Sequence, residues 1–372
     1  MIKRCRTLLL AVAFFLIGST TLGAQSLPSE LSDKEFWKIV TDFSEPNGYY
    51  RYENFVSNED DYQSFLPELT RMFNPASIYV GVGPEQNFTY ISALKPKLAF
   101  VVDIRRQNML ELLFYKALFE LSTDRADFAS RLFSRKATKN VSTTAGPSEL
   151  LEVFENIPGD KQLFDANLAA AWDLLTRKHG FDLSPDDDKE AITKVFKAFF
   201  DSGPALDYFS NKAKTPQIGY KTIMSLSDLT GRQWSYLATE ENFRVVQDYE
   251  KKNLIVPLVG DFAGPKAIRA IGQYAKEHNA TIGDFYTSNV DEYLFSDNLQ
   301  AKYLDNIATF PLNSSSMMIR MTGGPGPVPD GTYQILPGKT WAGVLCPLPD
   351  LMKAFNAGQV QTRTDINWLS RR

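Results

Sequence analysis

The run Ser77-Ile78-Tyr79-Val80-Gly81-Val82-Gly83-Pro84-Glu85-Gln86-Asn87, followed by Leu98-Ala99-Phe100-Val101-Val102-Asp103, restricts the fold more than any other part of the chain. An apolar stretch passes into two glycines and then a helix start. A second apolar stretch then ends on an acid. This order predicts strand, turn, helix and strand, which favours parallel pairing through a crossover. Glycines at such a turn let backbone amides approach a ligand closely. A helix start aimed at the same place favours negative charge, and an acid at the second strand end suits a ribose diol.

The pattern continues beyond this unit. Between Arg106 and Leu121, apolar residues at Leu110, Leu113, Phe114, Ala117, Leu118 and Leu121 form a helical stripe. Ahead of it, Ser32 and Glu35 have capping-box spacing and predict a short helix. Asn58-Glu59-Asp60-Asp61 predicts the start of a second helix running toward Met72. From 122 to 215 the alternation gives way to helices and loops, including helices over Leu163–Arg177 and from Ser184 through Phe200. Tyr220–Leu226 reads as a weak strand, Glu240–Lys252 as a helix, and Leu254–Asp261 as a strand in spite of Pro257. Gly264-Pro265 opens a helix. Thr281–Thr287 reads as a strand, Val290–Ile307 as a helix, and Met317–Met321 with Thr340–Leu345 as a closing antiparallel pair. The glycine- and proline-rich run from Gly323 to Gly331 between them reads as loop.

These elements predict an α/β fold with a mostly parallel sheet and helices on both faces. The expected division is a signal segment at 1–24, an N-terminal helical segment at 25–76 and a first sheet half at 77–121. A helical insertion at 122–215, a second sheet half at 216–350 and a C-terminal tail at 351–372 complete it.

The layout resembles the class I, Rossmann-like S-adenosylmethionine-dependent methyltransferase superfamily, in an exported bacterial branch. Gly81-Val82-Gly83-Pro84 stands at its glycine motif, Asp103 at its ribose-binding acid, and Gly260-Asp261 at the fourth-strand end. The resemblance covers 77–121 and 254–345. It implies S-adenosylmethionine as cofactor, held by Gly81, Gly83, Pro84, Glu85, Asp103 and Arg105, with Asp261 as the catalytic residue that orients or deprotonates an acceptor. Catalysis would rest mainly on alignment, because the methyl donor is already activated. Asp261 lacks the proline-aromatic pair of amino-methylating members, and two further positions depart from the pattern. Tyr79 stands where the family carries an acid, and Glu85 at the third glycine position. A carboxylate there would repel a ligand carboxylate.

Other features bear on compartment and partners. A basic start, Met1–Arg6, precedes the apolar run Leu8–Ile17 and small residues up to Ala24. This three-part pattern predicts an export signal and a periplasmic or extracellular protein without stable membrane association after cleavage. Of the two cysteines, Cys5 lies in that segment, and Cys346 stands among apolar residues and reads as a buried one. The formal net charge of −4 exerts no general pull on nucleic acid. The two histidines, His179 and His278, sit near expected helix ends, and no zinc motif, hydrolase elbow or Walker loop occurs. Asp186-Asp187-Asp188 reads as a helix start rather than a metal site. Asn87, Asn140, Asn279 and Asn313 match Asn-x-Ser/Thr, read as chance. Tyr49, Tyr50, Tyr52 and Phe55 form an aromatic cluster that either packs a helix on the core or folds over a pocket.

Three functions remain open on these residues: a methyltransferase acting on an unknown acceptor, a non-catalytic exported protein that binds a small molecule or a protein partner, and a hydrolase built from distant residues.

Overall fold

The computed structural model describes residues 26–137, 139–208, 218–323 and 335–371. The expected export segment and most of the Gly323–Gly331 loop lie outside the described residues. In chain order, α1 spans Asp33–Phe43, α2 Leu66–Met72, β1 Ile78–Gly81, α3 Gln86–Leu94, β2 Leu98–Asp103 and α4 Arg106–Leu121. The helical block follows with α5 (Arg125–Phe133), α6 (Pro147–Glu152), α7 (Lys161–Asp173), α8 (Asp187–Ser202) and α9 (Tyr220–Met224). Next come α10 (Glu240–Lys251), β3 (Ile255–Val259), α11 (Ala267–Glu277), β4 (Ile282–Ser288), α12 (Val290–Ser296) and α13 (Gln300–Ile307). The chain closes with β5 (Met317–Gly323), β6 (Trp341–Pro347), α14 (Leu348–Asn356) and α15 (Arg363–Leu369).

The six strands form one sheet in the order β3-β2-β1-β4-β5-β6. All neighbours are parallel except β5 and β6. This is a Rossmann-like, doubly wound order, in which the winding reverses between β1 and β4. Every residue of β1, β2 and β3 is buried, so helices cover both faces there. Helix α1 packs on β3, α4 on β2 and β3, and α14 and α15 on β6.

Several local expectations hold for clear reasons. Ser32 and Glu35 form the capping box of α1, with Glu35 N donating to Ser32 Oγ at 3.2 Å and Ser32 N to Glu35 Oε2 at 3.0 Å. Pro257 is tolerated because β3 is an edge strand.

Others differ. Residues 220–224 form a helix, not a strand; Tyr220, Ile223 and Met224 are buried at i, i+3, i+4 spacing. The helix expected from Asn58 begins only at Leu66, because the acids ahead of it serve the far edge of the sheet. Asp60 accepts from Thr340 N and Trp341 N, and Asp61 from Gly343 N. The single helix expected over 290–307 is two, broken where Asn298 takes a left-handed φ of 58°. The expected C-terminal tail folds into most of α14 and all of α15. Arg371 N and O both pair with Leu345, and a buried polar knot ties β5 to this end. There the Arg320 guanidinium donates to Asp291, to Asn367 Oδ1 at 3.0 Å and to Ser370 Oγ at 3.0 Å.

Candidate functional site

In a doubly wound sheet, the chain leaves the carboxyl ends of β1 and β4 in opposite directions and opens a crevice between them. A cavity of 380 Å³ lies at that place, within the size range of small-molecule sites. Gly83, Pro84, Asp103, Arg105 and Asp261 line it, which brings five of the seven residues singled out from sequence together. Gly81 and Glu85 do not line it.

The turn explains the split. Gly83 takes a φ of +79°, which side-chain-bearing residues rarely adopt, and a Cβ there would have nothing nearer than Asn54 Nδ2 at 4.0 Å. Gly81 is a packing glycine instead. A Cβ on it would stand 1.9 Å from Asn87 Oδ1 and 2.7 Å from the Tyr79 hydroxyl. The Asn87 amide nitrogen donates to the carbonyls of Val82, Gly83 and Pro84 at 2.8–3.2 Å, and Tyr79 donates to Asn87 Oδ1 at 2.9 Å. A second amide, Asn108 Nδ2, donates to Gly83 O at 3.1 Å. Asn87 is wholly buried and so unavailable for a glycan. Tyr79 thus stabilises the loop from within.

Glu85 is fully buried at the N-cap of α3, where its carboxylate accepts from Ser57 N at 3.2 Å. Burial pushes its carboxyl up to about 8. It packs behind the cavity with Glu111, whose carboxyl burial also raises, with Glu85 as the next cause.

Asp103, the expected ribose acid, is already engaged. Arg105 Nε and N both donate to its Oδ1 at 2.9 Å, and Arg105 Nη2 donates to Oδ2 at 2.9 Å. The remaining guanidinium nitrogen, Nη1, donates to Tyr52 O at 3.1 Å and to Glu53 O. Arg105 therefore works as a strut that fixes residues 52–53 over the end of β2, rather than as a free anion clamp. Its charge also lies 5.4 Å from the Tyr50 ring centre. The Tyr50 hydroxyl pairs with those of Tyr208 at 3.0 Å and Tyr293 at 3.1 Å. Tyr50, Tyr52, Tyr208 and Tyr293 all line the cavity, whereas Phe55 is core.

Asp261 stands beside the cavity at the end of β3, but one oxygen is spent locally. Its Oδ1 accepts from Ala263 N at 2.8 Å. The start of α11 is closed by Glu45, whose carboxylate accepts from Asp261 N, Lys266 N and Ala267 N at 2.7–3.1 Å.

Sequence reasoning missed Glu59 as a site residue, because its acidic run reads as a helix start. Glu59 lines the cavity at only 3% exposure. It accepts from Gln86 Nε2 at 2.6 Å, from Tyr286 OH at 2.7 Å and from Ser288 Oγ. Burial raises its pKa, against lowering by those three hydrogen bonds. Ser288 at the end of β4 holds a left-handed φ of 53°, and Asn54 across the cavity one of 50°. Strained non-glycine residues of this kind gather at functional sites. A buried carboxyl among neutral donors can accept a hydrogen bond or a proton from a ligand.

Among the described residues, no group of three or more His, Cys, Asp and Glu is placed to hold a metal, and no helix is long and apolar enough to cross a membrane. Cys346 is buried, and burial raises its thiol to about 11.

A nucleoside cofactor finds an incomplete seat here. Gly83 and the cavity suit it, but the diol acid carries an internal guanidinium on both oxygens, and the first helix turn holds a buried carboxyl. These residues do not fit the S-adenosylmethionine grip that the resemblance implies. Residues 54–152 and 161–342 match a family described as a domain of unknown function, DUF7790, and the chain belongs to that family. Comparison with curated proteins finds no match.

Proposed function

We propose that this chain binds a small organic molecule in the β1/β4 crevice, on a methyltransferase-like scaffold whose nucleoside grip has been replaced by an internal ion pair. The observation that carries this reading is the Arg105 fork on Asp103 at 2.9 Å. A ribose diol would have to displace a charge-assisted pair, which is stronger than a neutral hydrogen bond. The cavity, the tyrosine cluster and Glu59 remain and support ligand binding without that grip. Titration calorimetry with S-adenosylmethionine and S-adenosylhomocysteine tests it. The expected result is no saturable heat; stoichiometric heat that disappears in Asp103→Ala would overturn it.

The second reading is methyl transfer from S-adenosylmethionine, with Asp261 orienting the acceptor. The strand order and the open φ of Gly83 beside the cavity favour it. Under either reading, we infer from the Met1–Ala24 pattern that the protein acts outside the cytoplasm; fractionation of the native cell checks this.

A further inference from the structure

The chemistry of the cavity walls is one-sided. The acidic and basic residues that line it are Glu59, Asp103, Asp261 and Asp297 against Arg51 and Arg105. Arg105 is neutralised by Asp103, which leaves Asp261 and Asp297 facing one guanidinium, with the buried Glu59 carboxyl as a further acceptor. Two helix starts at this end, those of α3 and α11, already carry carboxyl groups of the chain itself. Amides at such a helix end are the usual anion seat; at α11 an incoming anion would meet the Glu45 carboxylate, and at α3 the buried Glu85 carboxyl already stands at the N-cap.

The aromatic walls point the same way. Arg51 and Arg105 already rest their charges over the Tyr52 and Tyr50 rings, at 4.7 and 5.4 Å from the ring centres. Tyrosine faces attract cations, and this cluster holds two of the chain's own. Arg51 is solvent-exposed at the cavity, so an incoming cation can take its place over Tyr52. Asn54 Oδ1 adds a buried acceptor with no donor.

On the reading that this cavity is a small-molecule site, we propose that its ligand is an organic cation: an amine carried on a compact aromatic or apolar body. The ammonium sits between the tyrosine rings and the acids, and the body fills the space beside Phe262, Val290 and Leu294, which line the same cavity.

Calorimetry of the full chain with three matched probes tests this: tyramine, neutral 4-ethylphenol and anionic 3-(4-hydroxyphenyl)propionate. Tyramine is expected to bind about tenfold tighter than either, the scale of one desolvated cation–aromatic contact. Its affinity should fall with added salt and in Asp261→Asn/Asp297→Asn. Arg51→Ala removes the resident cation and should tighten tyramine binding several-fold, whereas it would weaken an anion. Preferential binding of the phenol or the propionate overturns the cation assignment and leaves the cavity reading intact. Silence from all three probes also overturns the assignment. Detection of a carried ligand by native mass spectrometry judges the cavity reading separately.

Discussion

Arg105 closes on Asp103 as a two-pronged fork, Nε to Oδ1 and Nη2 to Oδ2, both at 2.9 Å, with each side chain less than a tenth exposed. The pair joins the end of β2 to the tyrosine segment above it. Removing one member leaves the other charge buried alone. Arg105→Gln is expected to cost about 3–5 kcal/mol in chemical denaturation, and Arg105→Gln/Asp103→Asn distinctly less. Hydrogen exchange at residues 50–54 should speed up in the single variant. Equal losses in single and double variants would show that the fork does not act as a unit.

The two glycines of the turn should respond differently to alanine. Gly83→Ala places a side chain at φ +79° in open space, a strain of about 1–2 kcal/mol. Gly81→Ala drives a methyl group into the Asn87 and Tyr79 contact that shapes the loop, an overpacking cost of about 1–3 kcal/mol. Gly81→Ala should also shift Asn87, so it should disturb ligand binding through the loop, although Gly81 does not line the cavity. Thermal unfolding and ligand titration of the two variants separate these effects.

Stability should fall as pH rises from about 5 to 8. Burial raises the carboxyls of Glu85 and Glu250 to about 8 from an ordinary 4.5, and those of Glu111 and Asp284 well above their ordinary values. In that window the folded chain holds protons that the unfolded chain has released, so added base favours unfolding. His179, between Asp33 and Glu120, has a raised pKa and acts in the same direction: its contribution is present below its ordinary 6.5 and lost above the raised value. Lowered carboxyls such as Asp188, paired with Arg106, act oppositely, and their contribution is lost as pH falls below about 4. Melting temperatures at pH 5.5 and 8.5 check the sign; a higher value at pH 8.5 would contradict it.

The polar knot under α15 should be brittle. Arg320 and Asp291 are both fully buried. Arg320→Met leaves the buried Asp291 carboxylate with only the longer Arg363 contact at 3.5 Å and should cost about 3 kcal/mol, while Arg320→Met/Asp291→Leu should recover much of the loss. Urea midpoints of the two variants measure it.

Much of the sheet was legible because its strands are apolar, short and bounded by glycine, proline or acid. The β1–α3–β2 unit and the antiparallel closure follow from local pattern, whereas the edge position that accommodates Pro257 appears only in the strand order. The signals that failed were those with two local meanings. Tyr220, Ile223 and Met224 fit a short strand as well as one helical turn, and only burial on one side decides. The acids at 59–61 look like a helix start, yet they take partners on β4 and β6, more than 200 residues away in sequence, and Glu59 one more on α3. The candidate site was legible in outline, since strand ends collect ligand-facing residues. The capture of Asp103 was not, because the side-chain path of Arg105 depends on where Tyr52 and Glu53 place their carbonyls.

The central claim is that the β1/β4 crevice seats a small molecule that is not a nucleoside. Native mass spectrometry of the protein from its own host, beside Asn58→Trp, which fills the cavity wall with an indole, tests it most directly. The account predicts a discrete added mass on the parent protein, absent from Asn58→Trp at equal folded content. An added mass that persists in the variant, or one that proves to be S-adenosylmethionine or S-adenosylhomocysteine, would contradict it.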